Sequence, residues 1–121
     1  MGLDCYWLVE RGVWPEGLDD LRLCGGLFSE HGQGSFRGKV YAELIEEISH
    51  ISLYQEYLPN RDVRVIADAL ESTEYQERWG EGKYELPWAW YNYRVTRDEY
   101  EDLRRMFRAY ADVGAALVGW W

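Results

Sequence analysis

Three apolar stripes at helical spacing constrain the fold of this chain more than any other feature of its sequence. Apolar residues that recur every three or four positions place one side of an α-helix against a core. The stripes are Val40, Tyr41, Leu44, Ile45 and Ile48, then Val63, Ile66, Ala67 and Leu70, and finally Tyr100, Leu103, Phe107 and Tyr110. We therefore expect a helix over residues 38–49, a second helix that follows Asn60 as its N-cap, and a third that follows Thr96. Thr96 and Glu99 have the spacing of a capping box, and Gly114 is predicted to end the third helix.

Shorter segments between the stripes alternate in the manner of β-strands. Residues 3–9 carry apolar side chains on both faces, so we expect this strand at the centre of a sheet. Strands are also predicted over residues 21–27, 87–95 and 115–121. Residues 51–58 are compatible with one more strand. Because no strict βαβ repeat is present, we expect one α+β domain over residues 1–121, with a small mixed or antiparallel sheet packed against about three helices.

The charge and the cysteine content argue against several classes of protein. The 121 residues include 13 basic and 22 acidic side chains, for a net charge of −9, and no basic stripe, so direct nucleic-acid binding is not expected. The scattered carboxylates leave open that the chain mimics nucleic acid in the basic groove of a partner. Cys5 and Cys24 form no CxxC pair, and no apolar run suits a membrane helix or a signal peptide. These features predict a cytoplasmic protein without a membrane partner.

A glycine-rich run over residues 22–39 leads into the first predicted helix. Glycine permits close backbone approach, and the first N–H groups of a helix attract anions. The run therefore suggests a pocket for a small anionic ligand within residues 29–39, and the residues proposed to bind it are His31, Gly34, Ser35, Arg37 and Lys39. Neither the P-loop spacing nor the dinucleotide-binding spacing is present. The alternative is a tight connection in which Ser35 caps the first helix.

Nucleophilic and metal chemistry find little support in the sequence. Cys24 and His31 are close along the chain, but no spacing rule brings them into contact, and a buried, inert cysteine is the more common case. The cysteine, histidine and carboxylate residues do not recur at the spacing of a zinc site. We therefore predict no catalytic residue, no metal site and no cofactor.

Aromatic residues make up 17% of the chain, with seven Trp and ten Tyr. Such side chains are rigid and amphipathic, and they are enriched at protein interfaces. If one face of an aromatic strand packs in the core, the other face exposes its rings. The predicted interface residues are Trp88, Trp90, Tyr91, Tyr93, Trp120 and Trp121. The alternative is that helices cover both faces of the sheet.

Four segments carry a resemblance to known proteins, and they are residues 2–6 (GLDCY), 23–26 (LCGG), 35–41 (SFRGKVY) and 118–121 (VGWW). Together they resemble a small bacterial protein family of the kind carried on mobile elements such as integron gene cassettes. The resemblance implies a bacterial, cytosolic protein and assigns no catalytic residue.

The sequence as a whole favours a non-enzymatic binding module that associates with itself, as a homodimer, through aromatic surfaces. Two alternatives stay open beside the nucleic-acid mimic. One is a ligand-binding protein or enzyme that uses the anion pocket, and the other is a module that binds an unknown protein.

Overall fold

The computed structural model describes residues 2–10, 13–18, 20–21, 23, 34–80 and 95–121. Within these ranges the chain forms three strands, three α-helices and one 3₁₀ turn. In chain order they are β1 (Asp4–Leu8), β2 (Ser35–Phe36), α1 (Gly38–Ser49), α2 (Asn60–Ser72), the 3₁₀ turn (Glu77–Gly80), α3 (Arg97–Asp112) and β3 (Ala116–Trp120).

The three strands form one antiparallel sheet with the order β2–β1–β3. The central position predicted for β1 is confirmed, with Cys5 opposite Phe36 of β2 and Asp4 opposite Trp120 of β3. The final strand is also confirmed as β3. Because an antiparallel sheet and three α-helices account for the regular structure of the described residues, the predicted α+β class is confirmed.

The helices pack on one face of the sheet, which we call the inner face. Cys5 and Trp7 of β1, Phe36 of β2 and Leu117 of β3 are buried there. The Trp7 ring stacks on Tyr110 of α3 with the two ring centroids 4.4 Å apart. The apolar stripes predicted from helical spacing supply the helical side of this core.

Helix α1 has the bounds predicted for it, and its first residue touches the central strand. A Cβ atom at Gly38 would lie 2.4 Å from the Sγ of Cys5, so only glycine allows this approach. Arg37 is the N-cap residue of α1. The predicted cap, Ser35, is wrong because that residue lies in β2 and pairs with Tyr6.

Helix α2 begins one residue earlier than the sequence predicts. Pro59 is its N-cap, so the assignment of Asn60 as N-cap is wrong. A proline suits this position because an N-cap residue has extended backbone and its missing N–H would have no acceptor within the helix. The Asn60 side chain instead donates hydrogen bonds to the carbonyl oxygens of Ala111, at 3.1 Å, and Ala115, at 3.0 Å. Asn60 thereby ties the start of α2 to the end of α3.

Both predicted ends of α3 are confirmed. The Thr96 hydroxyl accepts a hydrogen bond from the backbone N–H of Glu99 at 3.1 Å, as expected of an N-cap. The Glu99 carboxylate also accepts a hydrogen bond from the buried Tyr41 hydroxyl of α1 at 2.9 Å. Gly114 follows the C-cap residue Val113 with a φ of +79°, the left-handed conformation that glycine adopts most easily.

Residues 51–58 do not form the additional strand that the sequence allows. They form one isolated β-bridge with the sheet, in which Leu58 and Leu117 exchange backbone hydrogen bonds of 2.7 and 2.9 Å. The predicted strands over residues 21–27 and 87–95 lie almost wholly outside the described residues. None of the described helices is long and apolar enough to cross a membrane.

Candidate interaction surface on the outer face of the sheet

The face of the sheet opposite the helices, which we call the outer face, carries mostly apolar side chains. Successive residues of a strand point to opposite faces, and residues that lie opposite each other in neighbouring strands share a face. The outer-face residues are therefore Ser35 of β2, Asp4, Tyr6 and Leu8 of β1, and Ala116, Val118 and Trp120 of β3. Leu8 is 51% exposed and Trp120 is 72% exposed. An apolar surface with two large exposed side chains is thus available for contact.

Arg37, Asp4 and Trp120 form one row across the strands on this face. Trp120 lies opposite Asp4 in the register of β1 and β3. Arg37 follows β2 directly, and its Nε lies 3.4 Å from Oδ1 of Asp4. The row therefore places a cation, a carboxylate and an exposed indole side by side.

The Arg37–Asp4 pair is an ion contact without a hydrogen bond. Arg37 Nε and Asp4 Oδ1 are both buried atoms that have no hydrogen-bond partner among the described residues. The two side chains are nevertheless 35% and 23% exposed. Since charged groups gain most from aligned, charge-assisted hydrogen bonds, this pair retains unused donor and acceptor capacity.

Trp120 and Trp121, the two predicted interface tryptophans that the structure describes, lie on different sides of the sheet. The Trp121 ring meets Tyr54 edge-on, with the centroids 5.8 Å apart, and is 47% exposed. It also lies beside Gly119, where a Cβ atom would be 2.5 Å from the carbonyl oxygen of Gln55. Trp120 points the other way and makes no ring contact with any residue that the structure describes. The outer face therefore includes Trp120 and excludes Trp121.

The described part of the predicted anion pocket uses several of its polar groups within the protein. The Gly34 N–H donates to the Tyr110 hydroxyl at 3.1 Å, and the Lys39 N–H donates to the Leu3 carbonyl at 3.2 Å. Ser35 and Arg37 lie on the outer face, while Lys39 lies in the first turn of α1. The structure thus brings Ser35 and Arg37 to the same surface as Trp120.

Several residues singled out from the sequence lie outside the described part of the chain, namely Cys24, His31, Trp88, Trp90, Tyr91 and Tyr93.

The described cysteine, Cys5, is buried, and this burial raises the pKa of its thiol to about 12, so the thiolate is scarce at neutral pH. Among the described residues, no group of three or more histidine, cysteine, aspartate or glutamate side chains could hold a metal ion.

Sequence reasoning missed Asp4, Tyr6, Leu8 and Val118 as site residues. The signal for Tyr6 and Leu8 was present in the apolar alternation of residues 3–9, which we interpreted as the mark of a central strand. β1 is central in the order of strands, yet the helices cover only one of its faces. The pairing of Asp4 with Arg37 depends on strand register, for which the local sequence carries no signal.

Comparisons with protein-family models, with curated proteins and with solved structures find no match for this chain.

Proposed function

We propose that this chain is a homotypic interaction module, which associates with a second copy of itself through the outer face of the sheet. The observation that carries the proposal is the 72% exposure of Trp120 on a face that also carries the apolar side chains of Tyr6, Leu8 and Val118. Tryptophan is strongly enriched among the residues that dominate binding energy at protein interfaces. Packing of two sheets face to face buries such side chains between them.

The distribution of charge favours a second copy at this face rather than elsewhere. The chain carries a net charge of −9, so two copies repel each other over most of their surfaces. On the outer face the acidic Asp4 lies beside the basic Arg37, and the two charges offset each other. Contact between two outer faces therefore does not add the repulsion of two unpaired carboxylates.

The size of the face predicts a weak association. Specific interfaces bury about 800 Å² of each partner. The accessible surface of the chain is 7493 Å², so such an interface would require about a tenth of it. Because the outer face consists of strands of only five, two and five residues, we expect a small interface and a reversible dimer with a dissociation constant on the order of micromolar.

Sedimentation velocity over a series of protein concentrations tests this proposal. The wild-type chain should shift from monomer to dimer as its concentration rises through the micromolar range, and Trp120→Ala should remain monomeric. Val65→Ala is the control, since Val65 is 47% exposed but lies in α2, on the helical side of the molecule. A wild-type chain that stays monomeric, or a Trp120→Ala chain that associates like the wild type, would contradict the proposal.

A small anionic ligand held by Arg37 is the second candidate. It is favoured by the Arg37 Nε, which has no hydrogen-bond partner, and opposed by the neighbouring carboxylate of Asp4. A ligand present at 100 times its dissociation constant stabilises the folded chain by about 2.7 kcal/mol, which raises the melting temperature by several degrees. Inorganic phosphate should therefore raise the melting temperature of the wild type and not that of Arg37→Ala. Equal shifts in both proteins would exclude this ligand site.

A further inference from the structure

We propose that, in the self-associated form, Arg37 of each copy donates hydrogen bonds to Asp4 of the other copy. This inference rests on the proposed function and names the contacts that decide which surface can dock there. It is carried by a partly exposed ion pair that lies on the outer face beside the exposed Trp120.

The geometry of the pair within one chain is incomplete. Arg37 Nε and Asp4 Oδ1 lie 3.4 Å apart without the alignment of a hydrogen bond, and neither atom has another hydrogen-bond partner. A guanidinium has five N–H donors, and a carboxylate can accept several hydrogen bonds. The two facing atoms are buried between the side chains, but the side chains are 35% and 23% exposed, so the outer parts of the guanidinium and the carboxylate can reach a partner.

The row of charges is complementary to a second copy of itself. Arg37 follows β2 and Asp4 lies in β1, so the two charges are about one strand spacing apart, or about 4.8 Å. Consider two copies related by a two-fold axis that lies in the interface and runs parallel to the strands. This axis places β1 of one copy opposite β2 of the other. The cation of one copy then comes opposite the carboxylate of the other, and the contact occurs twice. Trp120, which neighbours Asp4 on β3, shields these contacts from water.

A partner of a single charge sign fits this face less well. A basic surface would meet the Arg37 guanidinium, and an acidic surface would meet the Asp4 carboxylate, so each would face a like charge. A second copy presents both signs in the required order. The occupant inferred for the outer face is therefore another molecule of this chain.

A charge-reversal experiment separates contacts between copies from the contact within one copy. Asp4→Arg and Arg37→Asp each place like charges in the proposed contact, and we expect each variant alone to self-associate about tenfold more weakly or worse. In an equimolar mixture the two variants are complementary, so a heterodimer should form with nearly the wild-type affinity. Fluorescence energy transfer between labelled copies measures the self-association of each variant and the formation of the heterodimer. Glu43→Arg and Arg61→Asp make the same charge changes at exposed positions of α1 and α2, and they should associate like the wild type.

The outcomes distinguish this inference from the proposed function. The exchanged ion pairs would be overturned if the charge-reversed variants associate like the wild type, or if their mixture does not recover the wild-type affinity. If only Trp120→Ala loses association, the proposed function stands without the exchanged ion pairs. A wild-type chain that is monomeric would overturn both. If circular dichroism shows that a reversed variant is unfolded, Asp4→Asn, Arg37→Gln and the double variant replace it. The losses of affinity in those variants should then be less than additive, and additive losses would overturn the inference.

Discussion

Gly38 shows how a single residue fixes the approach of a helix to the sheet. Its backbone lies against the side chains of Leu3 and Cys5, and a Cβ atom there would be 3.1 Å from Leu3 Cδ2 and 2.4 Å from Cys5 Sγ. Contacts this short force neighbouring atoms to move. The residue is also the place where the glycine-rich run ends and α1 begins. The last glycine of that run therefore has a packing role.

Gly38→Ala is expected to lower the free energy of unfolding by about 1–3 kcal/mol, because the added methyl group overpacks the contact with β1. Urea denaturation measures the loss. Cys5→Ala removes the nearest obstructing atom, so the double variant should lose less than the sum of the two single variants. Strict additivity would show that the two residues do not contact each other as described.

The Cys5 thiol gives a prediction about alkaline pH. Burial raises its pKa from the ordinary 9.0 to about 12, so the folded chain holds this proton over a range in which the unfolded chain releases it. The resulting stability is fully present below pH 9.0 and is lost as the pH rises toward 12. The free energy of unfolding should fall in this range by about 1.4 kcal/mol per pH unit more in the wild type than in Cys5→Ala. Parallel pH profiles of the two proteins would contradict the buried, protonated thiol.

At the scale of elements, side chains of α3 donate hydrogen bonds to the C-terminal end of α2. The Tyr100 hydroxyl donates to the carbonyl oxygens of Leu70, at 3.2 Å, and Thr73, at 2.7 Å. Arg104 donates from Nε to the Leu70 carbonyl at 2.7 Å and from Nη2 to the Glu71 carbonyl at 2.9 Å. The last carbonyl groups of a helix have no partner within the helix. These two side chains therefore supply an end cap for α2 from the neighbouring helix.

Tyr100→Phe should destabilise the fold by about 1 kcal/mol, because the Thr73 carbonyl loses its donor while Arg104 still donates to the Leu70 carbonyl and the ring stays in place. Thermal or urea denaturation measures the change. Tyr57→Phe removes a hydroxyl from a tyrosine that is 56% exposed, and it should leave stability within about 0.5 kcal/mol of the wild type. Equal effects of the two substitutions would contradict the capping role.

Elements with strong local signals are predictable here, and those set by distant partners are not. The apolar stripe gives α1 its bounds, and Thr96 with Glu99 marks the start of α3. The start of α2 is displaced by one residue because the side chain of Asn60 is recruited by α3, a contact that lies 51 and 55 residues away along the chain. Residues 51–58 have strand-like composition, but they contact the backbone of β3 through the Leu58–Leu117 bridge and a 3.4 Å hydrogen bond from the Gly119 N–H to the Glu56 carbonyl, which is too little for a strand.

At the scale of the whole molecule, three helices lie on one face of a small sheet and the opposite face exposes Leu8 and Trp120. The sequence indicated an aromatic surface that includes Trp120, because tryptophan and tyrosine are unusually frequent. The alternation of the strand predicted over residues 115–121 implies that Trp120 and Trp121 point to opposite faces. The sequence could not show that Arg37 comes to lie beside Asp4, because that follows from the register of β1 with β2, which long-range packing decides.

The outer face as the site of self-association is tested most directly by following backbone amide NMR signals of the uniformly ¹⁵N-labelled chain through a dilution series. The account predicts concentration-dependent shifts that concentrate in β1 and β3, around Asp4, Tyr6, Leu8 and Trp120, with the helical surfaces formed by α2 and α3 unchanged. Signals that do not move with concentration, or that move chiefly in α2 and α3, would contradict it.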